Sequence, residues 1–417
     1  MENELVFERN AELRELLESL DLPQIKVVVG LRRAGKTYLL NELFYHELLR
    51  KGHSASSIFK ADLSNEFSRV RDAETLSSLL ADALSKEANI FLIDEVQLAG
   101  QGYVDALISF VKHNGGVNVF VTGSNSRCLS DDIRKAFKEM AITIKLRPLS
   151  FSQIRKTMPD YGIDDYLTYG ALPIVLREKP EKRFPLLKSL YRDIYLADIR
   201  ERAHGDYLSE IEKERIVVRI LSNLTSPLSE MEIVRGITNG HKSSETQYLS
   251  LRKEILDFIH TVSASFLLCD FENGRDSQAN KNKDFLDHDI KKYCFDLGLL
   301  NIISEAPATT KSAGAIENAV YLELISRGLN PVGKTVQKGN GHGEIDFAIE
   351  KESDGLYVQT VFALTEANRS REIGNLLALN NEGRKIVVFM YKSLLQRVPH
   401  PIETMSFENF ALAEKLL

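Results

Sequence analysis

Cysteine is scarce in this chain: Cys128, Cys269 and Cys294 are the whole complement of 417 residues, and they stand far apart. There is no CxxC pair and no Cys/His cluster, which excludes a zinc site of that kind and a disulfide framework. A reducing compartment, the cytoplasm, is the expected location. Long apolar runs are also missing. None approaches the roughly 18 residues of a membrane span, so no membrane partner is expected. The opening Met1-Glu-Asn-Glu-Leu5 lacks the basic and apolar regions of a signal peptide. Internal repeats and low-complexity tracts are absent. So is any excess of positive charge: the formal net charge is −6, and a nucleic-acid role would have to rest on a local patch. What remains is a chain that is 43% hydrophobic and 27% charged, the composition of a globular protein with about two to four domains.

Against that background one stretch stands out. Gly30-Leu-Arg-Arg-Ala-Gly-Lys-Thr37 has the G-x-x-x-x-G-K-[ST] spacing of a phosphate-binding loop. The β-branched run Ile25–Val29 precedes it as a predicted buried strand. Tyr38–Leu49 follows with helical spacing of its apolar residues. Strand, glycine-rich turn and helix is the order this chemistry needs. Backbone N–H groups and the positive end of the helix face phosphate oxygens. Gly30 and Gly35 allow close approach and turning. Lys36 is expected to meet the β- and γ-phosphates of ATP, and the Thr37 hydroxyl to bind Mg²⁺. Arg33, Ala34 and Tyr38 complete the expected nucleotide-binding set.

A second signal is Asn89-Ile-Phe-Leu-Ile-Asp94-Glu95, an apolar strand ending in two carboxylates. A lone acidic pair at a strand end is usually just solvated. Downstream of a phosphate loop it has a chemical use: Asp94 holds Mg²⁺, and Glu95 orients and polarises the attacking water. A third strand, Asn118–Ser124, ends in Thr122, Ser124 and Asn125. Strand ends line the ligand crevice of an open α/β sheet. Ser124 and Asn125 are therefore assigned to sensing the γ-phosphate or the water, although such residues elsewhere are mostly turn formers.

The remaining elements follow in order. A helix is predicted over 5–20, a strand over 57–63, helices over 73–87 and 101–113, and a closing strand over 142–146. The expected domains are a P-loop ATPase domain at 1–150, a helical lid or connector at 151–205, a winged helix-turn-helix module at 206–270 and an α/β domain at 285–417. The winged module rests on predicted helices at 210–223, 229–238 and 243–259, followed by a strand at 265–270. Over 208–258 it carries seven basic residues against eight acidic ones, so DNA and a purely structural adaptor role stay open as alternatives. Residues 271–284 read as a polar linker. Beyond it, Lys292–Leu300 opens the last domain, with a helix over 314–327, strands over 343–349, 356–363 and 385–390, and a helix over 367–379.

That last domain carries Glu317 on a helix and Asp346 on a strand. Metal-dependent nucleases of the restriction-endonuclease type place carboxylates at such positions, with a third acid on the next strand and a lysine two residues later. Here those two places fall at Gln359 and Val361. Neither does the work required, so nuclease activity is not expected.

In the order Gly30–Thr37, Leu92-Ile-Asp-Glu-Val-Gln97, Val121-Thr-Gly-Ser-Asn125, Arg147-Pro-Leu-Ser-Phe151, Tyr169-Gly-Ala-Leu-Pro173, Phe295-Asp-Leu-Gly-Leu299 and Gly343-Glu-Ile-Asp-Phe347, the chain resembles prokaryotic AAA-superfamily ATPases fused to a C-terminal domain of unknown function with a restriction-endonuclease-like core. The resemblance runs nearly end to end. It implies ATP binding and hydrolysis. It also implies a degenerate nuclease core. One departure is visible: where the family often carries a Gly-Arg pair before the last strand of the ATPase domain, this chain has Glu139-Met140, so that if that arginine serves catalysis in relatives, either Arg127 or Arg134 substitutes here or hydrolysis is slow. The expected function is an Mg²⁺-dependent ATPase that couples nucleotide state to its C-terminal domains. An ATP-regulated DNA-binding or DNA-processing protein, an active nuclease and a nucleotide-responsive scaffold are the alternatives. The expected partner is ATP, with DNA, a second copy or another protein left open.

Overall fold

The computed structural model describes residues 5–20, 22–65, 70–123, 136–137, 139–202, 205–225, 229–239, 244–263, 268–271, 291–303, 313–338, 341–350, 355–379, 382–393 and 398–416. The chain divides into two compact units, 6–148 and 1–5 with 149–417.

The first unit is built on five strands: β1 (Ile25–Gly30), β2 (Ile58–Asp62), β3 (Ile90–Asp94), β4 (Asn118–Thr122) and β5 (Ala141–Leu146). They lie in the order β2-β3-β4-β1-β5, and every pairing is parallel. β1 and β3 are apolar almost throughout because both faces of a parallel sheet are covered. Lys26 is the exception on β1. It is fully buried and donates to the Leu22 carbonyl (2.6 Å) and to Asn118 Oδ1 (2.7 Å), so its ammonium is satisfied. Phe44, Phe91 and Phe120 fill the core beside the sheet. The helix after the loop is continuous from Lys36 to Arg50 but carries a π-helical stretch at Leu39–Phe44. Such widened turns are frequent at functional sites.

The second unit begins with helices and no sheet from Phe151–Thr157 through Ala197–Arg202, as the sequence predicts. Three helices follow, Glu210–Ser222, Glu230–Thr238 and Glu245–Val262. Next comes an antiparallel ribbon of β6 (Leu268–Phe271) and β7 (Lys291–Cys294), in which Leu268 pairs with Cys294. The run Lys292–Leu300, expected to open the last domain, contributes no strand to the five-stranded C-terminal sheet. Its first part completes the ribbon that β6 begins, and its second part is the helix Leu297–Ile303. Asp296 divides them by accepting Leu299 N–H at 3.0 Å. The expected linker 271–284 lies outside the described residues beyond Phe271.

The C-terminal sheet has five strands, β8 (Val332–Lys338), β9 (Gly341–Glu350), β10 (Gly355–Leu364), β11 (Arg384–Ser393) and β12 (Ile402–Ser406), in the order β12-β11-β10-β9-β8. β8, β9 and β10 pair antiparallel, and β10, β11 and β12 parallel. Both edge strands escape the sequence reading. β8 has mostly exposed or half-buried residues (Val-Gly-Lys-Thr-Val-Gln-Lys), so its apolar signal is weak. Among the described residues no helix is long and apolar enough to cross a membrane.

Two of the sequence motifs meet inside this unit. The fully buried Asp296 carboxylate accepts Ala171 N–H at 2.7 Å and Leu299 N–H at 3.0 Å, tying the turn Tyr169–Pro173 to the helix Leu297–Ile303. Gly298 is required there because a Cβ would run into the Tyr169 backbone. Burial pushes the Asp296 carboxyl up to about 6, although the backbone N–H bonds pull the other way. The folded value lies above the unfolded one. The resulting stabilisation is therefore complete below the unfolded value and lost as pH rises through about 6. Relative to Asp296→Asn, wild-type stability should fall by about 1–2 kcal/mol between about pH 4.5 and pH 7. Urea unfolding of both proteins at the two pH values measures this; equal differences would place the titration elsewhere.

Candidate active site

The phosphate loop starts where β1 ends. Gly30 lies beside Leu146 of β5, and a Cβ would strike the Leu146 carbonyl, so only glycine lets the two strands stay in register. Arg33 (φ 65°) and Gly35 (φ 97°) are both left-handed, and they turn the chain into the helix at Lys36. The first N–H groups of that helix have no intrahelical acceptors, which makes its start a place for anions. Lys36 Nζ lies over the loop, 3.0 Å from the Gly30 carbonyl and 3.0 Å from the Leu31 carbonyl. Ala34 is buried within the loop, and Tyr38 continues the helix.

The carboxylates arrive from β3. Thr37 Oγ1 donates to Asp94 Oδ2 at 2.7 Å. The Thr122 hydroxyl donates to Asp94 Oδ1. The parallel register explains this second contact: Ile93 sits beside Val121, so Asp94 falls beside Thr122. Asp94 is 1% exposed, and burial pushes its carboxyl up while the Thr122 and Thr37 hydroxyls hold it down and the neighbouring Glu95 and Asp62 raise it. Thr122 Oγ1 also accepts the Glu95 N–H at 3.0 Å. Glu95 itself is left-handed (φ 53°), a conformation a non-glycine residue holds only under constraint. Its carboxylate receives the Gln97 side-chain amide.

The structure thus brings together Gly30, Arg33, Ala34, Gly35, Lys36, Thr37, Asp94 and Glu95. Ser124 and Asn125, and with them Arg127 and Arg134, lie outside the described residues. Three contributors were not assigned from sequence. Thr122, noted there only as a polar strand end, bridges Asp94 and Glu95. Gln97 fixes the Glu95 carboxylate. Arg9, 5% exposed, donates to the Ala34 carbonyl at 3.2 Å and to the Arg147 carbonyl at 2.8 Å, bracing the loop from behind. Contacts to backbone carbonyls leave no sequence pattern, so Arg9 had no signal. The Thr122 signal was the alignment of two predicted parallel strands.

Residues 22–155 match the family model described as an AAA domain. This segment, which holds the phosphate-loop motif, is similar to AAA domains. The matched segment includes every site residue named above except Arg9. An uncharacterized protein of Haemophilus influenzae is 26% identical over 394 residues, covering 91% of this chain and 92% of its own length. An uncharacterized protein of Methanocaldococcus jannaschii is 27% identical over 420 residues, covering 93% and 88%. Among solved structures, the Pif1 helicase from Candida albicans matches at 16% identity and a TM-score of 0.27, covering 53% of this chain and 55% of that one. PCH-2 of C. elegans matches at 16% identity and a TM-score of 0.26, covering 62% and 69%.

The C-terminal sheet holds the other predicted cluster. Asp346 on β9 is buried and accepts Thr360 N–H (2.7 Å), Thr360 Oγ1–H (2.6 Å) and Gln359 Nε2–H (3.1 Å). Glu317 accepts the Tyr293 hydroxyl at 2.7 Å and pairs with Lys291 at 3.3 Å. Lys291 also pairs with Glu344 at 2.8 Å. Val361 is buried in the core of this sheet. Among the described residues no group of three or more His, Cys, Asp or Glu side chains is arranged to hold a metal ion.

Proposed function

We propose that this protein hydrolyses ATP with Mg²⁺ and uses the nucleotide cycle to alter its C-terminal half. The observation that carries the reading is the shared hydrogen-bond network of Thr37, Asp94, Thr122 and Glu95 beside Lys36. The Thr37 hydroxyl and the Asp94 carboxylate are hard oxygen donors side by side, the donor set Mg²⁺ prefers. Bound there with the phosphates, Mg²⁺ would neutralise charge that develops during phosphoryl transfer. Lys36 binds the β- and γ-phosphates. Glu95 takes the role of water-orienting base, held by Gln97 and, through its backbone, by Thr122. Phosphate release from ATP, with and without Mg²⁺, is the direct test. Absence of turnover in both conditions would reduce the AAA domain to a binding module.

The output is proposed to pass to the three helices and ribbon at 210–294, read as a winged-helix adaptor. DNA is the less favoured partner because the first turns of these helices are acidic, at Glu210, Glu212, Glu230, Glu232 and Glu245. DNA-stimulated turnover would restore it. ATP shifts an equilibrium only by its differential affinity for the two states, typically about 1–3 kcal/mol, which changes populations roughly 5–150-fold. Hydrogen exchange across 151–202 and 205–300 should therefore differ between nucleotide-free and ATP-bound Glu95→Gln protein. Identical exchange in both segments would leave an ATPase without this output.

A further inference from the structure

The nuclease-like pattern implies a divalent metal at Glu317, Asp346 and the third strand position, and the residues present do not fit one. A metal-binding carboxylate must offer a lone pair to the ion. Asp346 instead has both oxygens facing donors, from Thr360 N–H, Thr360 Oγ1–H and Gln359 Nε2–H. Burial and the nearby Glu317 push its carboxyl well above the usual range, toward the neutral acid. Glu317 faces a hydroxyl and an ammonium, from Tyr293 and Lys291. The third place is an amide, Gln359, whose Oε1 is an acceptor without charge.

The origin of the compensating cation is the informative point. Lys291 and Tyr293 belong to β7 of the ribbon, whereas Glu317 is on the helix Ala313–Ser326 and Glu344 and Asp346 are on β9. Lys291 is buried (5% exposed), and two carboxylates flank its ammonium at 3.3 and 2.8 Å. Burial lowers its pKa, but Glu317 and Glu344 together outweigh that and raise it above the ordinary value. Tyr293 adds an aromatic anchor, stacked on Tyr321 at 4.4 Å and tilted against Phe347 at 5.9 Å. We propose that the Lys291 ammonium does the electrostatic work of the divalent metal in this cluster, turning a metal-binding arrangement into a permanent ion-pair knot that fastens the ribbon to the C-terminal sheet. The ribbon and the sheet then move as one body, and the fastening needs neither metal nor nucleotide. The proposal does not depend on ATP turnover.

The test is hydrogen exchange of the full, nucleotide-free chain over 291–294, 313–326 and 341–350. In the wild type, neither EDTA nor Mn²⁺ should change exchange in these segments. Slowing by Mn²⁺ would reveal a metal centre and overturn the proposal, and this measurement needs no variant. Lys291→Ala should speed exchange there by about 10-fold or more, because a buried carboxylate loses its partner. Adding Glu317→Gln should restore part of the loss, since the neutral amide no longer needs a cation while its oxygen still accepts the Tyr293 hydroxyl. Purely additive effects of the two substitutions would show that the pair is not coupled and would equally overturn the proposal.

Discussion

Lys36→Ala weakens ATP binding by roughly 10²-fold or more. Hydrogen bonds to a charged group are worth about 1.5–3 kcal/mol each, and this ammonium is proposed to serve two phosphates. The side chain also spans the loop, donating to the Gly30 and Leu31 carbonyls at 3.0 Å each. Its removal therefore takes away both a phosphate partner and an internal brace. The two losses separate experimentally. Titration with a fluorescent ATP analogue reads the first, and thermal unfolding without nucleotide reads the second. Wild-type affinity in this variant would remove the loop assignment. A large loss of nucleotide-free stability would shift the explanation toward the brace.

Glu95→Gln keeps ATP binding and slows hydrolysis by about 10²–10⁴, the range of a positioned base. The substitution preserves shape, and the backbone contact to Thr122 does not involve the side chain, so the strained left-handed residue stays where it is. The amide still offers an oxygen to the Gln97 side chain. What it lacks is the charge that polarises water. Single-turnover phosphate release, measured beside ATP affinity, distinguishes a chemical defect from a binding defect. Turnover within a few-fold of wild type would move the role to a different residue.

The two lesions differ in kind, and so did their visibility in the sequence. The phosphate loop was legible because its chemistry is local: eight consecutive residues set the turn, the helix start and the lysine. Asp94 and Glu95 were legible because a buried strand seldom ends in two adjacent acids beside such a loop. Thr122 was only half legible. A polar residue at a strand end has many uses, and its bridge from Asp94 to Glu95 exists only because β3 and β4 run parallel in one register. Edge strands β8 and β12 were not legible, since an edge needs no continuous apolar run.

Periodicity and motif spacing by themselves determined where the buried parallel strands lie and where the phosphate loop turns. These properties depend on neighbours along the chain. Pairing across the fold decided the rest. Lys291 lies 26 residues before Glu317, yet the ribbon brings its ammonium to within 3.3 Å of that carboxylate. Arg9 reaches a loop carbonyl 25 residues away. Asp296 joins two motifs 125 residues apart. Each is a buried charge, and a buried charge persists only where partners compensate its lost hydration. Those partners are chosen by three-dimensional proximity, to which one-dimensional spacing is blind.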